Sequence, residues 1–152
     1  MKTLIAVIGG RKESHELLVH AEETGKEIAK RGAVLICGGL TGTMEAAARG
    51  AKAEGGITVG ILPGNSPTDA NQYIDIPLAT GLGLARNAII MSAAHAVVAI
   101  GGSYGTLSEI AYALQYNKPI VGINTWNIEG VTTVKNAHEA IHKLFAEISP
   151  QG

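Results

Sequence analysis

Short, continuous apolar runs alternate with amphipathic stretches along this chain, and the alternation sets its expected architecture. Thr3–Ile8, Ala33–Cys37, Ile57–Leu62, Ala96–Ile100 and Pro119–Ile123 are rich in β-branched residues and bounded by Gly or Pro, as strands buried on both faces are. Between them the period changes. Leu17, Leu18, Ala21, Ile28 and Ala29 share one face of a helix expected from about Ser14 to Arg31, which Gly32 stops. A small-residue helix through Met44, Ala47, Ala48 and Ala51 ends at Gly55-Gly56. From Thr106 a further helix carries Leu107, Ile110, Ala111 and Leu114 inward. The last, capped by Asn136 and closed before Pro150, buries Ala137, Ala140, Ile141, Leu144, Phe145 and Ile148. Turn residues fill Asn65–Asn71, Tyr73–Ile76 reads as a short edge-like strand before Pro77, and Val131–Val134 as a last short strand.

Strands alternating with helices in this way predict an α/β fold: a single Rossmann-like domain over 1–152, with a mostly parallel, doubly wound sheet and helices on both faces. One helix departs from simple amphipathicity. From Leu82 to Ala94, apolar residues occupy nearly every face, so it needs cover on both sides, and in so small a domain the second cover is another subunit. A homodimer or higher homo-oligomer through helix 82–94 is therefore expected.

Composition narrows the partners. The 152 residues are 46% hydrophobic and 16% charged, ample for a core, and 12 basic against 13 acidic side chains leave a formal charge of -1. No nucleic-acid or membrane surface follows from that balance, so the expected partner is a small molecule. The N-terminal apolar run is too short for a signal peptide and no run reaches membrane-spanning length, which predicts a cytoplasmic protein. The lone Cys37 reads as a small buried residue ending its strand.

The chemistry is expected where strands run through glycines into helices. Gly38-Gly39-Leu40-Thr41-Gly42-Thr43 and Gly101-Gly102-Ser103-Tyr104-Gly105-Thr106 each turn a buried strand into a helix, and Gly9-Gly10 follow the first strand. The first amides of a helix lack intrahelical partners and sit at the positive end of its dipole, so such turns receive phosphate. The expected ligand-holding residues are Gly9, Gly38, Gly39, Gly42, Thr43, Gly102, Ser103, Tyr104, Gly105 and Thr106. Glu109, one turn into its helix, leans back toward the same crevice and is the best single candidate for chemistry. Arg86, a cation on an apolar helix, needs an anionic partner or a ligand, Glu109 itself being one alternative. A Walker A ending and the Gly-x-Gly-x-x-Gly of dinucleotide folds are both absent. His138-Glu139-Ala140-Ile141-His142 spells a zinc-protease motif, but the apolar face of its helix turns these side chains to solvent, so no metal is expected there. Trp126 reads as cover for a core edge, with ligand stacking as the alternative.

Together, Gly38–Met44, Leu84-Ala85-Arg86-Asn87 and Gly102–Glu109 resemble the LOG family, often labelled lysine decarboxylase-like, over nearly the whole chain. The resemblance implies a Rossmann-type dimer that releases a free base from a nucleoside 5'-monophosphate. Arg86 and Glu109 would stand at the catalytic positions, with Gly102, Gly105 and Thr106 holding phosphate. Gly101, Ser103, Asn87 and Ser108 replace the family's proline, second glycine, lysine and first of two acids. Those replacements resemble the small LOG-like group that includes the molybdenum cofactor carrier. The implied function is binding of a phosphate-bearing, nucleotide-like ligand, a nucleoside monophosphate or a phosphate-bearing pterin. An N-glycosidic phosphoribohydrolase is the alternative, and a ligand-sensing oligomer a third reading.

Overall fold

The computed structural model describes residues 1–148. Each expected buried run forms a strand: β1 (Leu4–Gly9), β2 (Val34–Cys37), β3 (Ile57–Leu62), β5 (Ala96–Ile100) and β6 (Ile120–Ile123). With β4 (Ile76–Ala79) and β7 (Thr132–Thr133) they make one seven-stranded sheet in the order β4-β3-β2-β1-β5-β6-β7. Every pair is parallel. Successive residues of β1 face opposite ways, Ile5 and Val7 into one core layer and Ala6 and Ile8 into the other, as strand alternation requires.

Helices α1 (His15–Lys30), α2 (Thr43–Ala53) and α5 (Ala137–Ile148) cover the first face through Ala21, Ile28, Ala47, Ala51, Ile141 and Leu144. Helices α3 (Arg86–Ala93) and α4 (Tyr104–Gln115) cover the second through Ile90, Met91, Ile110 and Ala113. The caps follow the sequence: Ser14 Oγ accepts from Leu17 N–H at 3.3 Å, and Asn136 Oδ1 from Glu139 N–H at 2.9 Å. The stop expected before Pro150 lies outside the described residues. Helices α1 and α2 meet through glycines. A Cβ on Gly25 would lie 1.9 Å from the Ala47 carbonyl oxygen, and one on Gly50 1.9 Å from that of Glu22.

Three boundaries differ from expectation. The segment from Leu82 is a single 3-10 turn, Gly83–Ala85, and regular helix begins only at Arg86. Its apolar residues divide: Ile90 and Met91 are fully buried, whereas Leu82, Leu84 and Ile89 are 53%, 64% and 39% exposed. Residues Tyr73–Asp75 are not strand; β4 runs Ile76–Ala79 instead and contains Pro77 opposite Gly60. An edge strand bonds a neighbour on one side only, so a missing N–H there breaks no ladder. Helix α4 starts at Tyr104, two residues before Thr106. No helix among the described residues is long and apolar enough to cross a membrane.

Candidate functional site

The chain reverses its direction of sheet growth between β1 and β5: β2 and β3 add on one side of β1, β5 and β6 on the other. Crossovers leave the two strand ends in opposite directions there, which opens a crevice outside their carboxyl ends. Gly9 pairs with Ile100 at that point, and a cleft of about 530 Å³ opens above them. This is the size range of sites for small organic ligands. It gathers residues distant in the sequence: Gly9 at the end of β1 and Gly10–Glu13 after it, Gly38 after β2, Leu84 in the turn before α3 with Arg86 and Asn87 at its start, and Gly102, Ser103, Gly105, Thr106 and Glu109 around the start of α4.

The turn after β5 lines this cleft through Gly102, Ser103, Gly105 and Thr106. Gly102 has φ +103, and a Cβ there would fall 2.3 Å from Thr106 Oγ1, so a glycine lets the chain fold back on α4. Its carbonyls are engaged elsewhere: Gly101 O accepts from Thr125 Oγ1 at 2.6 Å and Ser103 O from Trp126 Nε1 at 3.1 Å. Leu107 N–H is bonded to Ser103 O, and the amides of Tyr104, Gly105 and Thr106 before it have no intrahelical acceptor. They carry the positive end of the α4 dipole. Glu13 takes up the neighbouring donors, its Oε1 accepting from Gly10 N–H at 3.0 Å and Gly102 N–H at 2.8 Å. Exposed Arg11 and Lys12 complete the wall.

Arg86 is held by backbone. Its Nε donates to Ile61 O at 2.8 Å and Nη2 to Gly38 O at 3.4 Å, while Nη1 donates to Asn87 Oδ1. Asn87 Nδ2 then donates to Ser108 Oγ at 3.2 Å, and that hydroxyl to Gly105 O at 2.7 Å. The guanidinium is thus tied through two short side chains to the turn that opens α4. No ion pair closes between Arg86 and Glu109, so carbonyl and amide oxygens are its partners in place of that carboxylate. Burial pushes the Glu109 carboxyl up to about 8, with the charge of Arg86 opposing the rise. A carboxyl so placed keeps a proton at neutral pH and can donate as well as accept.

The turn after β2 does not behave like the one after β5. Gly38 reaches the cleft, but Gly39 carries the carbonyl that accepts from Asn71, Gly42 packs under the carbonyls of Gly10 and Arg11, and Thr43 N–H donates to Gly10 O at 3.0 Å. Thr43 is fully buried and its Oγ1 has no partner. Tyr104, 82% exposed, stands beside Trp126 with ring centroids 6.3 Å apart. Gly39, Gly42, Thr43 and Tyr104 therefore stand outside the cleft lining. Sequence reasoning passed over Arg11, Lys12 and Glu13, although two cations directly after the first strand's glycines were a readable signal. His138, Glu139 and His142 are exposed on α5. Cys37 ends β2, and burial pushes its thiol up to about 12, so it is no nucleophile near neutrality.

Residues 2–151 match the SLOG cluster4 family. The structure superimposes with a TM-score of 0.92 on the molybdenum cofactor binding protein of Rippkaea orientalis, at 33% identity over 97% of this chain and 98% of that one. The molybdenum cofactor carrier protein of Chlamydomonas reinhardtii gives 0.90 at 34% identity, over 98% and 99% of the two chains. A cytokinin riboside 5'-monophosphate phosphoribohydrolase of Mycobacterium tuberculosis is 33% identical over 136 residues, 80% of this chain and 71% of that protein.

Proposed function

The chain belongs to the SLOG cluster4 family, and we propose from that premise that it binds a small phosphate-bearing, nucleotide-like ligand in the cleft between β1 and β5. One observation carries the reading: Gly105 and Thr106 of the first turn of α4 line a cleft of about 530 Å³ that is also walled by Arg11 and Lys12. Free amides, a helix dipole and two flexible cations suit a phosphate, and the remaining volume suits a planar ring system. The likeness to proteins that bind or carry the molybdenum cofactor favours a phosphate-bearing pterin among such ligands. In this reading Gly105 and Thr106 receive the phosphate, while Arg86 and Glu109 form the polar floor.

A second reading, hydrolysis of the N-glycosidic bond of a nucleoside 5'-monophosphate, is favoured by the phosphoribohydrolase relative and by Glu109 and Arg86 sharing one cleft. There a Glu109 carboxylate would stabilise positive charge growing on the ribose. Burial keeps that carboxyl protonated near pH 7, and this favours binding. AMP is expected to raise the melting temperature in proportion to occupancy and adenosine not to, with no adenine released above a Glu109→Gln control. Equal shifts from AMP and adenosine would refute phosphate recognition; adenine release lost in the Glu109→Gln protein would establish the hydrolase.

We also propose that the exposed side chains of Leu82, Leu84 and Ile89 are covered by a second copy of the chain, since Leu84 itself lines the cleft. Light scattering at micromolar concentration is then expected to give a multiple of the 15.7 kDa chain mass, and a strictly monomeric value would overturn it.

A further inference from the structure

Glu13 occupies the place that an oxyanion would take. Two amides from separate strand ends, Gly10 after β1 and Gly102 after β5, converge on its Oε1 at 3.0 and 2.8 Å. Its other oxygen is lodged against the glycine pair, where a Cβ on Gly101 would come within 2.8 Å of Oε2. Charge-assisted bonds from backbone amides are strong and rigid, so the carboxylate is a fixed part of the site. It is also a boundary. A second cleft of about 390 Å³, with Leu17, Asn124, Thr125 and Trp126 in its wall, lies on the far side, and Glu13 and Gly102 line both.

We propose that Glu13 restricts the site to ligands with a single phosphoryl group. Its carboxylate fills the anion position at the junction of β1 and β5, so a ligand phosphate is confined to the first turn of α4. A second phosphoryl extending from there toward the far cleft would meet a fixed negative charge where the amide donors are already used. Like charges in a partly desolvated site repel strongly, and rejection by a built-in repulsive group is an efficient route to specificity. The inference rests on the phosphate-binding reading above and adds the class of ligand that the site rejects.

Calorimetric titration of AMP, ADP and pyrophosphate into the wild-type, Glu13→Gln and Glu13→Ala proteins tests it. The wild type is expected to bind AMP at least about tenfold more tightly than ADP, and Glu13→Ala to narrow that ratio by about tenfold through tighter ADP binding. Glu13→Gln keeps an oxygen for the two amides and loses the charge, so it should retain the fold while tightening ADP and pyrophosphate; it decides the matter if Glu13→Ala does not fold. An AMP-to-ADP ratio unchanged by both substitutions, with AMP still bound, overturns the proposal, as does a wild type that binds the two equally. If neither nucleotide binds any of the three proteins, the nucleotide reading falls separately. Pyrophosphate then decides the role of Glu13: tighter binding to the variants than to the wild type supports it, and no gain overturns it.

Discussion

Gly50→Ala is expected to lower the melting temperature by roughly 10 °C, although the change adds only one methyl group and puts a good helix former in place of a poor one. In an isolated helix the substitution would be favourable. Here the new Cβ would fall 1.9 Å from the Glu22 carbonyl oxygen, and the reciprocal Gly25→Ala change would meet the Ala47 carbonyl at the same distance. Backbone atoms cannot rotate aside as side chains can, so α1 and α2 must separate and loosen the layer that holds Ala21, Ala47 and Ala51 against the sheet. Overpacking of this kind costs about 3 kcal/mol, and in a domain of this size each kcal/mol moves the midpoint by about 2–4 °C. Thermal unfolding followed by circular dichroism checks it. A midpoint within a degree or two of the wild type would mean that the helices do not touch through these glycines.

The second large effect belongs to Arg86. Arg86→Met keeps much of the side-chain volume but leaves Ile61 O, Gly38 O and Asn87 Oδ1 without their donor and Glu109 without its nearest opposing charge. Loss of one member of such a buried polar network costs about 3–5 kcal/mol. Urea denaturation should show it as a lower midpoint at unchanged slope, and AMP binding should weaken as the turn at Gly105 loses its tether through Asn87 and Ser108. Glu109 adds a pH signature with a definite sign. Burial pushes its folded carboxyl up to about 8 from an ordinary 4.5, so between those values the folded chain holds a proton that the unfolded chain has released. Stability contributed by that proton is whole below about 4.5 and is lost as pH rises through about 8, at up to about 1.4 kcal/mol per pH unit. Glu109→Gln has nothing to titrate. Its stability should match the wild type near pH 5 and exceed it increasingly toward pH 8.5; parallel curves would show that Glu109 is ionised in the folded protein.

Much of this architecture was readable one segment at a time. The five apolar runs became β1, β2, β3, β5 and β6 because a strand buried on both faces has no polar position to interrupt it. Ser14 and Asn136 marked their helix starts because capping is a contact made within three residues. Reading failed where distant neighbours override local preference. Pro77 argued against a strand, yet β4 accepts it because only β3 lies beside it. Leu82–Ala85 continued a helical pattern in composition alone, and glycines at φ +67 and +59 turn the backbone there before α3 begins.

The candidate site divides along the same line. Arg86, Glu109 and the turn at Gly102–Thr106 could be singled out from residue type and spacing, since a cation on an apolar helix, an acid one turn into a helix and a glycine turn opening that helix each carry a physical meaning on their own. What each does was decided by partners far along the chain: Arg86 by carbonyls 25 and 48 positions away, and Gly102 by a carboxylate 89 positions before it. The glycine turn after β2 looked equivalent to the one after β5, but the loop after β1 packs onto it and consumes the Thr43 amide. Sequence spacing specifies which groups a segment can offer, because backbone geometry is local. Strand order specifies which of those groups meet, because only closure of the sheet around β1 brings the ends of β1, β2 and β5 to one cleft.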